Sequence, residues 1–351
     1  MKLGDIMKHF KAKNPPVCKD NAVRKAIDTQ SINNFSIGQA LGQGAYAIVK
    51  MAVHKPTMVQ LALKTYSKSL FVSNHHRMNV MREIKVLERL NHKNIVKILY
   101  KINTPSELHL AMELVSGKDL LSYLKSQKNQ RIPEVEFKKL FLQILKAVDH
   151  CHSMNVTHRD IKLENLLINE KAEIKLIDFG FSTIDNDPSR VFCGTPNYMA
   201  PEIVAKSECS GPPTDVWALG VLMHVLLTGS FPFKGSNEDE LFLRIQVGNY
   251  LIHPDLPSKA RSIVEKMLKV DPRDRPTVRE VLKEKYFSMN EKGSIDPNQN
   301  EGFDASILKS MVRYTQNKYG FANSRLFQDL KNKNSRAYKL YRYLSFNNKN
   351  N

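Results

Sequence analysis

Hydrophobic residues follow a strand-like pattern in the first third of this chain. From Phe35 onward, short runs rich in Val, Ile and Leu are separated by polar turns, which is typical of β-strands. Between the second and third of these runs, apolar residues recur at helical spacing over 78–90. A β-rich unit with one helix is therefore predicted. We expect its strands at 48–53, 59–64, 95–99 and 108–112.

The following residues, to about position 287, have the spacing of helices. Residues 134–150 carry a broad apolar face. The apolar run 216–227 is too short to span a bilayer and predicts a buried core helix. The two patterns together predict an α+β fold with two lobes, a small β-rich one and a larger helical one. A boundary near 113–118 would place a ligand cleft between the lobes.

Polar stretches at both ends of the chain set the expected domain boundaries. Residues 1–34 are polar and basic and form a predicted N-terminal extension. Residues 35–287 form the predicted domain, with an N-lobe of 35–113 and a C-lobe of 118–287. Residues 288–351 are predicted to be a polar linker followed by a basic tail.

Composition narrows the class of protein. The 351 residues are 42% hydrophobic, which allows a real core. The formal net charge of +18 could indicate nucleic acid or an anionic membrane as partner. The lysines are spread through the whole chain without a nucleic-acid-binding signature, so we expect no nucleic-acid partner and attribute part of the charge to a nucleotide site.

Targeting and cysteine signals are weak. We find no hydrophobic segment of signal-peptide or transmembrane length and expect a cytoplasmic, possibly nuclear, protein. The four cysteines are scattered without zinc-site spacing, so reduced thiols are expected.

Two acidic motifs in the middle of the chain carry candidate chemistry. The first is His-Arg-Asp-Ile-Lys-Leu-Glu-Asn at 158–165, and the second is Asp-Phe-Gly at 178–180. They supply a carboxylate to orient a hydroxyl, a lysine near a moving phosphate, and Asn165 and Asp178 as oxygen ligands for magnesium. Phosphoryl transfer from ATP is the chemistry that these groups fit.

A glycine-rich turn lies between the first two predicted strands. Gly42 and Gly44 would let backbone N–H groups approach phosphate oxygens, although a plain turn is the common alternative. The strand–turn–strand setting disfavours a dinucleotide-binding Rossmann site, and the ending of a Walker loop is absent. The candidate nucleotide residues of this loop are Leu41, Gly42, Gln43, Gly44, Ala45, Tyr46, Ala47, Ile48 and Val49.

Lys64 ends the next predicted strand, where its ammonium could reach phosphates. Alone it is one of many lysines and could simply be solvated. Glu83 on the following predicted helix could orient it, and this pairing strengthens the assignment.

The order of these parts, continued by Ala-Pro-Glu at 200–202, closely resembles the eukaryotic protein kinases over residues 35–287. The resemblance implies that ATP and Mg²⁺ are used. Asp160 would accept the substrate hydroxyl's proton and Lys162 would neutralise charge on the γ-phosphate. Asn165 and Asp178 would bind magnesium, and Lys64, held by Glu83, would bind the α- and β-phosphates. A pseudokinase would lack at least one of these groups, and all are present.

The resemblance also implies an adenine site. Val49, Ala62 and Leu167 would sandwich the base, beside the gatekeeper Met112. Glu113 and Val115 would offer hinge backbone groups. The supporting residues implied by the family are Leu87, Ile98, His158 and Phe179 in an apolar spine, Asp215 as a brace, and Glu202 with Arg275 as a buried ion pair. Ala47 replaces the third glycine of the family loop, a departure that we expect to cost little activity.

Lys162 and the Gly-Thr-Pro at 194–196 are serine/threonine-kinase features, and Thr195 would hydrogen-bond near Asp160. The neighbouring sequence resembles the calmodulin-dependent and AMP-activated-kinase-like group, whose members often prefer basic residues before the phosphoacceptor. Asp119 and Glu164 match positions that receive such a residue. Protein substrates with upstream basic residues are therefore predicted.

Control of the site is left open by the sequence. Arg159 matches a residue that pairs with an activating phosphate, but the usual position of that phosphate is Val191, which cannot carry one. Asp185 or Asp187 could supply the anion, Ser189 or Thr183 could be phosphorylated, or no charge is needed. In the tail, the amphipathic basic stretch 336–344 could bind calmodulin, an anionic membrane or the domain's own cleft, or could be docked or solvated.

Overall fold

The computed structural model describes residues 31–44, 47–70, 74–184, 194–206 and 211–287. Within them, two regions of different architecture follow one another along the chain, a small β-rich lobe and a larger helical lobe. The predicted α+β, two-lobed fold class is confirmed.

A five-stranded antiparallel sheet forms the small lobe, in the spatial order β1-β2-β3-β5-β4. The chain order of the strands is interrupted only by one helix, α1, between β3 and β4. Their bounds are β1 Phe35–Gln43, β2 Ala47–His54, β3 Val59–Ser67, β4 Ile98–Asn103, β5 Glu107–Glu113 and, for the helix, α1 Asn74–Arg89.

Alternation along β3 decides which side chains reach the cleft. Successive strand residues point to opposite faces of a sheet. Leu61 and Leu63 are fully buried in a small cluster on one face. Ala62 and Tyr66 belong instead to the main hydrophobic cluster, which continues into the helical lobe. Lys64 shares the face of Ala62 and Tyr66, and α1 covers that face.

Helix α1 packs through one stripe of apolar residues. Val80, Ile84 and Leu87 lie at i, i+4 and i+7 and are almost fully buried in the main cluster. Glu83, one position before Ile84, is carried to the same side and is 4% exposed. A buried carboxylate needs compensating partners, which β3 provides.

The helical lobe contains seven α-helices among the described residues, arranged around a fully buried one. The predicted core helix 216–227 corresponds to α5, which begins after Gly211 and ends before Gly229, a residue with φ +76. The seven helices are α2 Leu120–Lys125, α3 Glu134–Ser153, α4 Pro201–Val204, α5 Pro212–Thr228, α6 Glu238–Gln246, α7 Ser258–Met267 and α8 Val278–Leu282.

Two small sheets of the helical lobe hold the loops that face the cleft. Strands β6, β8 and β9 form one and β7 with β10 the other. A Cβ on Gly117 in β6 would lie 2.1 Å from the carbonyl oxygen of Ile168, so only glycine allows this close pairing. The bounds are β6 Gly117–Asp119, β7 Val156–Thr157, β8 Leu166–Asn169, β9 Ile174–Leu176 and β10 Thr183–Ile184.

The predicted strand at 95–99 is displaced, since β4 begins only at Ile98. Ile95 instead forms a parallel bridge with Leu176 of β9, and the Val96 N–H donates to the Leu176 carbonyl at 2.9 Å. The apolar run is buried as expected, but its first residues pair with the helical lobe. Within the described part of the chain, no helix combines the length and apolarity that crossing a membrane requires.

Candidate active site

The turn at His158 and Arg159 is braced by a buried carboxylate. Asp215 accepts hydrogen bonds from the backbone N–H groups of His158, at 2.9 Å, and Arg159, at 2.8 Å. His152 Nε2 lies 2.8 Å from the same side chain. Arg159 has φ +67, a left-handed conformation that costs energy in a residue with a Cβ. Burial alone would raise the pKa of Asp215, but His152 and the backbone donors lower it, so the brace stays charged.

Beyond this turn, three polar groups converge on Asp160. Lys162 Nζ lies 2.8 Å from Asp160 Oδ2. The Asn165 amide donates to the same oxygen and to the Asp160 carbonyl, each at 2.8 Å. Lys162 also donates to Thr195 Oγ1 at 3.0 Å, which links the loop to the Gly-Thr-Pro segment. The structure therefore brings the four predicted catalytic-loop residues into one hydrogen-bonded cluster.

Asp178 is presented to the cleft by a second strained turn. Its φ is +60, and its carboxylate is 46% exposed although Phe179 beside it is fully buried. The Phe179 ring packs edge-on against His158 with centroids 4.7 Å apart, which ties this turn to the catalytic loop. Burial would raise the pKa of Asp178, but the Lys64 ammonium lowers it, so the carboxylate is charged and available to a cation.

Lys64 lies between two carboxylates. Its Nζ is 2.6 Å from Glu83 Oε1 and 3.0 Å from Asp178 Oδ1. Although burial would lower the pKa of Lys64, these carboxylates raise it well above its ordinary value. The sequence-based pairing of Lys64 with Glu83 is present as a short contact across the face of β3.

Tyr66 belongs to this site but was missed by sequence reasoning. Its hydroxyl donates to the second oxygen of Glu83, Oε2, at 2.7 Å. Its position two residues after Lys64 on the same strand was the available signal, because such residues share a face.

The glycine loop has space that the protein itself does not fill. A Cβ on Gly42 would meet no atom within 4 Å, and one on Gly44 would meet only the Ala47 carbonyl oxygen at 3.7 Å. Neither glycine is required by packing, so the open space fits a ligand close to the backbone. Leu41, Gln43 and Ile48 are exposed. Ala45 and Tyr46 lie outside the described residues.

The predicted adenine residues line the region where the two lobes meet. Ala62 pairs with Met112 across β3 and β5, and each is 8% exposed. Val49 packs against the main cluster from β2, and Leu167 lies half-buried on β8. These positions place apolar side chains above and below one pocket.

The hinge residues are half-buried. The Glu113 N–H donates to the Lys97 carbonyl at 3.0 Å, so this amide is not free for a ligand. The Glu113 carboxylate accepts from the Lys97 N–H at 2.8 Å and from Lys175 Nζ at 2.7 Å, and so joins the hinge to both lobes. Val115, two residues on, is also half-buried.

The two predicted substrate carboxylates differ in their surroundings. Asp119 caps α2, and its two oxygens accept from the N–H and hydroxyl of Ser122 at 2.8 and 2.7 Å. Burial would raise its pKa, but these hydrogen bonds lower it, so Asp119 is charged. Glu164 is exposed in the turn that follows Lys162, and β6 packs against this turn.

Of the candidate switch residues, only Thr183 lies in the described part of the chain. It pairs with Thr157 in the β10–β7 ladder and is 3% exposed. In this conformation its hydroxyl is not accessible to a modifying enzyme. Asp185, Asp187, Ser189, Val191 and the tail lie outside the described residues.

Comparison with known families agrees with this geometry. A model described as the protein kinase domain matches residues 35–287. The chain belongs to the protein kinase family.

Similar proteins of other organisms are serine/threonine kinases by name. "Sucrose non-fermenting protein kinase 1" of Fusarium virguliforme is 36% identical over 272 residues, which cover 77% of this chain and 38% of the relative. "Serine/threonine protein kinase OSK3" of Oryza sativa subsp. japonica is 35% identical over 263 residues, covering 74% and 51%. "SNF1-like protein kinase ssp2" of Schizosaccharomyces pombe is 34% identical over 268 residues, covering 76% and 46%. The chain thus matches half or less of the length of these relatives.

Proposed function

We propose that this chain is an ATP-dependent protein kinase that phosphorylates serine and threonine hydroxyls. One observation carries the proposal: Lys162 lies within hydrogen-bonding distance of both Asp160 and Thr195, while Asn165 donates to Asp160. Such a cluster positions a carboxylate, an ammonium and an amide around one point of the cleft. The relatives' names support the serine/threonine class.

The chain's own residues supply the positioning. Asp160 orients the substrate hydroxyl and receives its proton, and Lys162 offsets charge on the transferred phosphate. The hydroxyl oxygen forms a bond to the γ-phosphorus as the bond from that phosphorus to the β–γ bridging oxygen breaks. Lys64 binds the α- and β-phosphates and is itself held by Glu83.

Asn165 and Asp178 are the proposed magnesium ligands. They offer hard oxygen atoms, and the exposed Asp178 carboxylate beside Lys64 fits a cation bridging to phosphate. When bound, Mg²⁺ would neutralise negative charge on the phosphates. The low pKa of Asp178 keeps this ligand deprotonated at neutral pH.

We assign the nucleotide to the space between the glycine loop and the helical lobe. Gly42 and Gly44 leave room for phosphates near their backbone N–H groups. Val49, Ala62 and Leu167 enclose the adenine beside Met112, with Glu113 and Val115 at the hinge. Because the Glu113 N–H is already used, its carbonyl is the group we assign to the base.

A preference for basic residues before the phosphoacceptor is a finer proposal. Glu164 is exposed, and Asp119 is charged and close to the same turn. An arginine would pair with these carboxylates. Replacing upstream Arg by Ala in a peptide array should reduce phosphorylation, and unchanged phosphorylation would refute this preference. Glu164→Gln is the matched variant and should weaken the arginine preference.

Calmodulin binding by the basic tail remains a proposal of lower rank. It is tested by measuring activity of the full chain and of a chain ending at residue 303, with and without calcium–calmodulin. A calmodulin effect that is seen only with the full chain would support it. The absence of any effect would remove it.

Transfer of labelled γ-phosphate to a basic peptide library tests the main proposal. Wild-type protein with ATP and Mg²⁺ should label serine- and threonine-containing peptides. Asp160→Asn keeps the size of the side chain but cannot take up the proton in the same way, and it should lower the rate at least about a hundredfold. A wild-type protein that binds ATP without transferring phosphate would refute the proposal and favour a binding role.

A further inference from the structure

The Glu83 carboxylate is attached to strand β3 at two points. Oε1 accepts from Lys64 at 2.6 Å and Oε2 accepts from the Tyr66 hydroxyl at 2.7 Å. Both donors lie on the same face of β3, and Tyr66 and Glu83 are 2% and 4% exposed. Helix α1 is therefore joined to the sheet by one ionic and one neutral hydrogen bond.

The second attachment restricts a motion that the first leaves open. The terminal torsion of a glutamate is broad, so one bonded oxygen does not define the plane of the carboxylate. With both oxygens bonded, the plane is set and Oε1 is directed at Lys64. The Lys64 ammonium also lies 5.5 Å from the centre of the Tyr66 ring, which adds a weak cation–π contact.

The protonation state of Tyr66 is consistent with donation. Burial and the charge of Glu83 raise its pKa well above the ordinary value, so the hydroxyl keeps its proton at neutral pH. A buried hydroxyl and a buried carboxylate satisfy each other here, and removing either one leaves the other without its partner.

We propose that Tyr66 is a positioning residue, which holds Glu83 and through it Lys64 in the arrangement that binds nucleotide phosphates. This inference rests on the proposed function. Both attachments come from β3, so the orientation of α1 is set within the small lobe. It provides a physical basis for the alternative, left open by Val191, in which no phosphate is needed to assemble the site.

Tyr66→Phe is the direct test, because it removes the hydroxyl and keeps the ring. We expect kcat/KM for ATP to fall about tenfold, the effect of losing one hydrogen bond to a charged acceptor. The affinity for ATP·Mg²⁺, measured by a fluorescent nucleotide analogue, should fall as well. Hydrogen exchange of backbone amides in 79–89 should become faster. The matched control is Tyr286→Phe, a buried tyrosine in the helical lobe, which should change kcat/KM less than about twofold.

A double-mutant cycle separates positioning from general packing. In a Glu83→Gln background, Tyr66→Phe should have less than about a twofold further effect, since the interaction it acts through is already altered. If the two effects multiply instead, Tyr66 acts independently of Glu83 and the inference is wrong.

The outcomes for the two proposals are distinguishable. If wild-type protein transfers phosphate and Tyr66→Phe matches it in kcat/KM and nucleotide affinity, the inference fails and the proposed function stands. If wild-type protein binds ATP·Mg²⁺ but transfers nothing, the proposed function fails. In that case weaker nucleotide binding by Tyr66→Phe, lost in the Glu83→Gln background, still supports the inference, and unchanged binding overturns it.

Discussion

Replacing Asp215 by asparagine should destabilise the protein through the backbone turn that it braces. Asp215 Oδ2 accepts from the His158 N–H and Oδ1 from the Arg159 N–H. An asparagine offers one oxygen and one NH₂ group. Whichever way the amide is turned, one of the two buried backbone donors must face an NH₂ group.

The magnitude follows from these contacts. A hydrogen bond to a charged acceptor contributes about 1.5–3 kcal/mol, and leaving a buried donor unpaired costs about 1–3 kcal/mol. We expect the free energy of unfolding to fall by roughly 2–4 kcal/mol. At about 2–4 °C per kcal/mol for a domain of this size, Tm should fall by roughly 5–15 °C. Activity should fall too, because Arg159 would no longer be held at φ +67 next to Asp160.

Thermal unfolding of wild type, Asp215→Asn and a control tests this. The control is Asp255→Asn, which removes a carboxylate from a half-exposed pair with Arg131, worth less than about 1 kcal/mol. Because the folded-state pKa of Asp215 is lowered, its stabilisation is present above the unfolded pKa, about 3.9, and is lost as pH falls through the folded value. The difference in stability should therefore be constant near pH 7 and narrow only below about pH 4. An Asp215→Asn Tm within the shift of the control would refute the reasoning.

Two further predictions concern stability and the nucleotide loop. Glu202 and Arg275 form two buried hydrogen bonds of 2.7 Å, so Glu202→Ala should lower the free energy of unfolding by about 3–5 kcal/mol in chemical denaturation. An effect below about 1 kcal/mol would contradict this. Gly117→Ala should lower Tm, because its Cβ would clash with the Ile168 carbonyl, whereas Gly42→Ala should leave Tm nearly unchanged and raise KM for ATP. Equal Tm values for the two glycine variants would contradict the packing argument.

Much of the fold was predictable because its elements are strongly patterned. The apolar run at 216–227 predicted a buried helix, and the structure extends it to Pro212–Thr228. The strand at 59–64 was recognisable from β-branched and apolar residues, and β3 continues to Ser67. Local periodicity identifies such elements because burial of one face or of the whole segment determines them.

Pairing partners were less predictable. Ile95 and Val96 had the composition of a strand, but they pair with Leu176, some eighty positions away. Which partner an apolar segment takes depends on tertiary packing, to which a local pattern is insensitive. The strand assignment therefore began three residues too early.

In the candidate site, motif order located Lys64 and Glu83, but not the residues that support them. Tyr66 and the Glu113–Lys175 pair are defined by contacts across strands and between lobes. Their residue types are common in sheets and on surfaces, so no local signal distinguishes them. Only the assembled fold shows which tyrosine or lysine has a carboxylate opposite it.

The central claim is tested most directly by phosphoamino-acid analysis of a protein substrate incubated with the chain, labelled ATP and Mg²⁺. The account predicts phosphoserine and phosphothreonine with wild-type protein, and loss of both with Asp160→Asn. Label that persists at the wild-type rate in Asp160→Asn, or that appears only on tyrosine, would contradict it.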